Sequence, residues 1–356
     1  MPTEAPTALL PTNRKYLGSK RHLAVAICDR ICAHGAPASF LDGFCGTGAV
    51  AIEMARRGCG PITCVDNLLS NTAVLRAYFS AVVGGAADAV GAGLERLDRS
   101  PPRGGYVTRA YGGRYFTDDN ARRIDGIREA LDRAEWQRSA KPMHHDEIGS
   151  ALLAALLLAA DRVANCIGQY DAYLKHLGSS THSNGRHLVD SRVYGPLRLV
   201  PLATAPADVK VFTTDIGDAL RGVGGRAEVA YFDPPYNSRQ YSDNYHVLEA
   251  IARWDGAPVY GKTRKARRPT LRSAFSRRSQ VVAALSELVS RCRAKRIYLS
   301  YSSEGLVPPD ELWALLRERG AVARWAFDHP VFGHGAGVAR KRRVTEYLYE
   351  LRPRAA

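Results

Sequence analysis

Asp233-Pro234-Pro235-Tyr236 puts a carboxylate, two residues without a backbone N–H and an aromatic ring into one short stretch. The apolar run from Val229 to Tyr231 precedes it, which predicts a buried strand that stops where prolines cannot donate to a sheet ladder. Asp233 then falls at the carboxyl end of a strand, the edge where open α/β sheets place ligands. Pro234 also restricts the backbone of Asp233. The corner offers acceptors for amino hydrogens and a ring for a π-face, so a planar, amine-bearing base fits it. The same tetrapeptide also reads as a strand-ending turn, because Asp and Pro are common turn formers.

A second chemical stretch, Phe44-Cys45-Gly46-Thr47-Gly48, sits between a short apolar segment ending at Asp42 and a helix-forming run, Ala49 to Ala55. Strand, glycine turn and helix let a nucleotide-like ligand approach the backbone closely, and Gly46, Gly48 and Ala51 satisfy the dinucleotide spacing. Asp66, about twenty residues on, ends a second strand where a carboxylate can accept from two ribose hydroxyls. An adenosine-bearing cofactor follows, and NAD and S-adenosylmethionine suit these residues equally. Asp215 ends a later strand, Val209 to Thr213, near the expected place of the adenine, with Asp218 close enough to leave the register open.

Cations form the third group. The chain of 356 residues carries a formal net charge of +15, which points to a polyanionic partner. Lys262 to Arg278 holds eight cations and no carboxylate, among them Lys262, Arg264, Lys265, Arg267 and Arg268. Such a run suits a loop that contacts phosphates. A basic turn, Asn13 to Arg21, precedes a helix from Leu23. His144-His145-Asp146-Glu147 is read as solvated or capping rather than metal-binding, and no metal site is expected. The seven cysteines form no CxxC pair and read as reduced thiols of a cytoplasmic protein. The apolar run Ile148 to Ala160 is about two thirds of a membrane span, so no membrane is expected.

The elements that must position these groups alternate strand and helix on either side of a different texture. Residues 84–205 are glycine- and arginine-rich with an apolar helical block from Glu147, and read as an inserted, partly basic module whose Asn184–His187 stretch looks like a loop tip. Residues 1–83 and 206–356 make up the α/β part, and residues 1–12 a loose arm.

Lys15-Tyr16-Leu17-Gly18-Ser19-Lys20, Phe44 to Gly48, Asp66 and Asp233 to Tyr236, in this order, resemble the Dam-like, D12-class DNA adenine-N6 methyltransferases. The run from Asn237 through Glu249 is similar to a FokI-methylase-type branch of that class. The resemblance covers residues 13–80 and 205–304. It implies a Rossmann-like α/β sheet of the S-adenosylmethionine-dependent methyltransferases, with 84–205 as an inserted, mainly helical target-recognition domain. It implies S-adenosylmethionine at Tyr16, Lys20, Phe44, Gly46, Gly48, Asp66, Asp215 and Asp233. It makes Asp233, Pro234 and Tyr236 catalytic: the Asp233 carboxylate and the Pro234 carbonyl accept the amino hydrogens of a flipped-out adenine, and Tyr236 stacks on it. Double-stranded DNA is the implied partner, with a cognate restriction endonuclease as a companion and a monomer as the acting form. The residues also leave open cytosine-N4 transfer, a nicotinamide-dependent oxidoreductase and a catalytically silent DNA-binding module.

Overall fold

The computed structural model describes residues 9–16, 18–80, 85–133, 147–166, 168–174, 177, 191–222, 226–331 and 342–354. Leu17, the His144–Asp146 cluster and the Asn184–His187 stretch lie outside the described residues. The chain forms two compact units, one of residues 20–67, 208–241 and 271–356, the other of residues 1–19, 68–207 and 242–270.

The first unit is built on a seven-stranded sheet. Its strands, numbered along the chain, are β1 (Phe40–Asp42), β2 (Ile62–Asp66), β3 (Val209–Thr213), β4 (Val229–Phe232), β7 (Arg296–Ser302), β8 (Gly320–Val331) and β9 (Arg342–Pro353). They lie in the order β3-β2-β1-β4-β7-β9-β8. β1 pairs in parallel with both β2 and β4, and β4 with β7, while β9 runs antiparallel to β7 and β8. The order reverses at β1, so the carboxyl ends of β1 and β4 flank a topological switch point, where such sheets bind ligands. Helices α1 (Ala24–Ile31), α2 (Ala49–Arg56), α8 (Ile216–Gly222), α11 (Val281–Arg291) and α12 (Pro309–Arg317) belong to this unit. Val229 to Phe232 are wholly buried, as a parallel strand covered on both faces requires. Gly43 is dictated by packing: a Cβ there would meet the Phe232 ring at 2.4 Å.

The second unit is mainly helical: α3 (Leu69–Phe79), α4 (Gly85–Asp98), α5 (Tyr106–Tyr111), α6 (Asp118–Arg133), α7 (Glu147–Val163), α9 (Tyr241–Asn244, which starts one residue inside the other unit) and α10 (His246–Arg253). It also holds a hairpin of β5 (Val259–Tyr260) and β6 (Lys265–Ala266). This unit is larger than the 84–205 module read from the sequence, because α3 packs on α7 and α10. Glu249 of α10, wholly buried, accepts from the first N–H groups of α3, Leu69 at 3.0 Å and Ser70 at 2.9 Å. Those donors have no partner inside their own helix. The apolar α7 supplies the core, with Leu152, Leu153, Leu156 and Leu157 fully buried. Among the described residues no helix is long and apolar enough to cross a membrane, and no group of three or more His, Cys, Asp or Glu is placed to hold a metal ion.

Candidate active site

The sheet brings three carboxylates to the ends of three adjacent strands: Asp66 on β2, Asp42 on β1 and Asp233 after β4. Lys20 answers them. Its ammonium donates to Asp233 Oδ1 at 2.7 Å and lies 3.2 Å from Glu346 Oε1 on β9, an ion pair without hydrogen-bond geometry. Lys20, Asp233 and Glu346 are only 7%, 15% and 8% exposed in their side chains, so the cluster works in a poorly hydrated setting where charge interactions are strong. Among the described residues the other Asp233 oxygen, Oδ2, has no protein partner.

The electrostatics of the pair are unequal. Burial pulls the Lys20 ammonium down, and Asp233, then Glu346, Tyr231 and Tyr236, outweigh it and leave Lys20 well above its ordinary value. Burial pushes Asp233 up, Lys20 draws it back, and Glu346 pushes again, leaving it at about 6. Lys20 is therefore a fixed cation, and Asp233 is a carboxylate that ionises late despite its salt bridge.

Asp42 is more deeply buried, with Oδ1 lacking any hydrogen-bond partner. Burial first, then Asp233 and Asp66, push its carboxyl up to about 8, against the pull of the Phe44 and Ala51 N–H groups. Asp66 Oδ2 accepts from Gly46 N at 2.9 Å, which ties the glycine turn to the end of β2. Gly46 (φ 51°) and Gly48 (φ 77°) both adopt left-handed backbone, where a side chain would be strained. Phe44 packs edge-on against Phe232 and Phe275, at centroid separations of 6.3 and 5.2 Å.

The Asp-Pro-Pro-Tyr corner is rigid on both sides. Pro234 is buried, and the Tyr236 carbonyl accepts from Leu306 N at 2.8 Å. The Tyr236 ring meets Tyr301 edge-on at 6.2 Å and lies 5.6 Å from the Lys20 ammonium. Gln240 exchanges two hydrogen bonds with the Ser273 backbone, at 2.7 and 3.1 Å, fixing the chain beyond the corner.

Of the residues singled out in the sequence, Lys20, Phe44, Gly46, Gly48, Asp66, Asp233, Pro234 and Tyr236 thus belong to one unit and converge on the carboxyl edge of β2, β1 and β4. Asp215 follows β3, is exposed, and accepts from Gly217 N at 2.8 Å at the start of α8, whereas Asp218 pairs with Arg221 on that helix. Tyr16 belongs to the helical unit, where it stacks on Tyr245 at 4.3 Å and 8° and accepts from Asn71 Nδ2 at 3.3 Å. Lys262, Arg264, Lys265, Arg267 and Arg268 are in the helical unit too. Two of these are committed to carboxylates: Lys265 to Asp171 at 2.6 Å, and Arg268 to Asp255 at 2.7 Å. The sequence reading missed Glu346 and Asp42. Asp42 had a signal, as the acid just ahead of the glycine turn; Glu346 had none, being one polar residue in an ordinary strand.

A family model described as D12 class N6 adenine-specific DNA methyltransferase matches residues 16–315. The type II methyltransferase M.NlaIII of Neisseria lactamica is 30% identical over 316 residues, covering 82% of this chain and 84% of that protein. M.CviAII of Paramecium bursaria Chlorella virus 1 is 32% identical over 256 residues, 69% of each chain. M.FokI of Planomicrobium okeanokoites is 35% identical over 208 residues, 58% of this chain but only 29% of that longer protein.

Proposed function

This chain belongs to the D12 class N6 adenine-specific DNA methyltransferases, and we propose that the cluster at the ends of β1, β2 and β4 carries its transfer to adenine N6 in duplex DNA. The family match favours adenine over cytosine, and the oxidoreductase and silent-module readings are not favoured by it.

S-adenosylmethionine is the methyl donor of this family, and the residues present fit it. An edge with the Asp66 and Asp233 carboxylates suits a sulfonium cation and ribose hydroxyls, and left-handed Gly46 and Gly48 leave room for close backbone approach. Asp66 would hold the ribose, Phe44 to Gly48 would line the methionine part, and Lys20, Asp215 and Asp233 complete the proposed set on this unit. When bound, the cofactor supplies an electrophilic methyl group.

The amino group of adenine is a weak nucleophile because its lone pair is delocalised into the ring. In the proposed arrangement Asp233 Oδ2 accepts one amino hydrogen and the Pro234 carbonyl the other, so the nitrogen becomes tetrahedral and its lone pair is freed. Lys20 keeps the carboxylate oriented by occupying Oδ1, which is preorganised electrostatic assistance. The base has to leave the duplex to reach these groups, and Tyr236 would stack on it. The single observation that carries this reading is Asp233, clamped through one oxygen by a buried lysine at the switch point.

Double-stranded DNA is the substrate; Lys262, Arg264 and Arg267 are proposed to meet it, whereas Lys265 and Arg268 act mainly in holding their own unit together. The sheet unit is the proposed catalytic domain and the helical unit the proposed target-recognition domain. A restriction-modification setting with a cognate endonuclease, a cytoplasmic location and a monomeric enzyme complete the proposal, in keeping with relatives named as type II methyltransferases. Asp233→Ala tests it: labelled methyl transfer to duplex DNA should vanish while equilibrium dialysis still shows cofactor binding within a few-fold. Retained transfer would remove Asp233 from its role.

A further inference from the structure

The hairpin of β5 and β6 is held by its backbone and carries two cations at its tip. Val259 pairs with Ala266 and Tyr260 with Lys265, and Gly261-Lys262-Thr263-Arg264 turns the chain between them. Arg264 is left-handed at φ 54°, a conformation that a residue with a side chain keeps only when its surroundings enforce it.

The surroundings do so at the carbonyls. Thr263 O accepts from Tyr115 Oη at 2.9 Å and lies 2.8 Å from His246 Nε2. Lys262 O accepts from Tyr173 Oη at 3.3 Å. Tyr115 and His246 are themselves buried and in ring contact at 5.7 Å. Below the tip, Lys265 bridges to Asp171, Arg268 to Asp255, and the Arg267 guanidinium lies over the Tyr260 ring at 5.4 Å. Among the described residues no carboxylate is paired with Lys262 or Arg264. Lys262 is exposed and Arg264 half-exposed.

A surface turn needs none of this anchoring merely to stay folded. A fixed two-stranded ribbon with uncommitted cations suits a partner that is polyanionic and read by shape. The major groove of DNA admits such a ribbon, and an element already rigid loses little freedom on docking. The two cations differ in kind: a guanidinium fork matches the O6/N7 edge of guanine, whereas an ammonium is a point charge suited to phosphate.

Resting on the adenine-methyltransferase reading, we infer that the β5–β6 hairpin reads the major groove, with Arg264 recognising a guanine of the target sequence and Lys262 contacting a phosphate. Sequence discrimination then resides partly outside residues 84–205.

The test is methylation of a randomised duplex library by the wild type, Arg264→Gly, Arg264→Lys and Lys262→Ala, followed by sequencing of the modified sites. Glycine tolerates the left-handed backbone, and lysine keeps the charge while losing the fork. Both Arg264 variants should lose guanine discrimination at one position by roughly ten- to a hundredfold. Lys262→Ala should keep the discrimination, weaken binding equally on all sequences, and make the salt dependence shallower by about one unit of slope. Unchanged guanine preference in both Arg264 variants would overturn the inference. So would an Arg264→Lys enzyme indistinguishable from wild type beside a uniformly weakened Arg264→Gly, the signature of a phosphate contact. A wild type that methylates no duplex would instead bring down the enzyme reading and this inference with it, and the wild-type reaction alone reveals that case.

Discussion

Lys20 and Asp233 stand 213 residues apart in the chain and meet at 2.7 Å, with the lysine ammonium on one oxygen of the carboxylate. The resemblance placed Lys20 at the cofactor. The geometry gives it a second task, keeping a buried carboxylate ionised and pointed. Lys20→Met leaves Asp233 beside Glu346 with no cation, so its pKa rises further. Methyl transfer at pH 7 should fall at least about tenfold and recover in part as the pH is raised toward 9. The same fractional loss at every pH would show that Lys20 acts otherwise.

Glu346 works in the opposite direction. It adds negative charge beside Asp233, whose carboxyl stands at about 6. Catalysis needs the ionised form, so wild-type turnover should rise with pH through about 6. Burial, Lys20 and Glu346 are the groups that set this value, and Tyr231, Tyr236 and Asp42 lie in the same electrostatic neighbourhood. Glu346→Gln removes the repulsion and should move the acid limb to lower pH. An unmoved limb in a pH–kcat series would limit Glu346 to a structural part.

Asp42 should show itself in stability. Its folded value of about 8 exceeds the ordinary 3.8, so between these limits the native state holds a proton that the unfolded chain has lost. Its contribution is full below about pH 4 and declines as pH rises to about 8. Asp42→Asn should remove this decline, worth on the order of a few kcal/mol, in urea midpoints taken from pH 5 to 9. Parallel wild-type and variant curves would contradict it.

Glu249 joins α10 to α3 and also accepts from Arg253 Nε at 2.5 Å. Glu249→Ala strands two buried helix-start donors and takes the buried carboxylate away from the half-buried Arg253, and should cost about 3 kcal/mol or more. A shift in denaturation midpoint reads this directly, and a change under about 1 kcal/mol would mean that water or a rearranged Arg253 replaces the carboxylate.

These residues mark what was legible in the chain. The corner at Asp233 was readable because prolines end strands by covalent structure, and the glycine turn because left-handed backbone selects glycine. Both are local signals. The partners were not local. Glu346 reaches Lys20 only because β9 turns back antiparallel beside β7, and nothing near residue 346 announces it. The cationic stretch from Lys262 read as a loop by charge, yet it holds a hairpin whose Lys265 and Arg268 are answered by distant carboxylates. The boundary at residue 83 missed α3 for a related reason. The helix itself is readable there, but Ser70, Asn71 and Thr72 are buried in it, so its polar residues disguise that α7 and α10 enclose it.

The product itself tests the central claim most directly. Duplex DNA treated with labelled S-adenosylmethionine and either wild type or Asp233→Ala is hydrolysed to nucleosides and separated. Label should appear in N6-methyladenine with the wild type and nowhere with the variant. Label in N4-methylcytosine, or N6-methyladenine formed equally well by Asp233→Ala, would contradict the account.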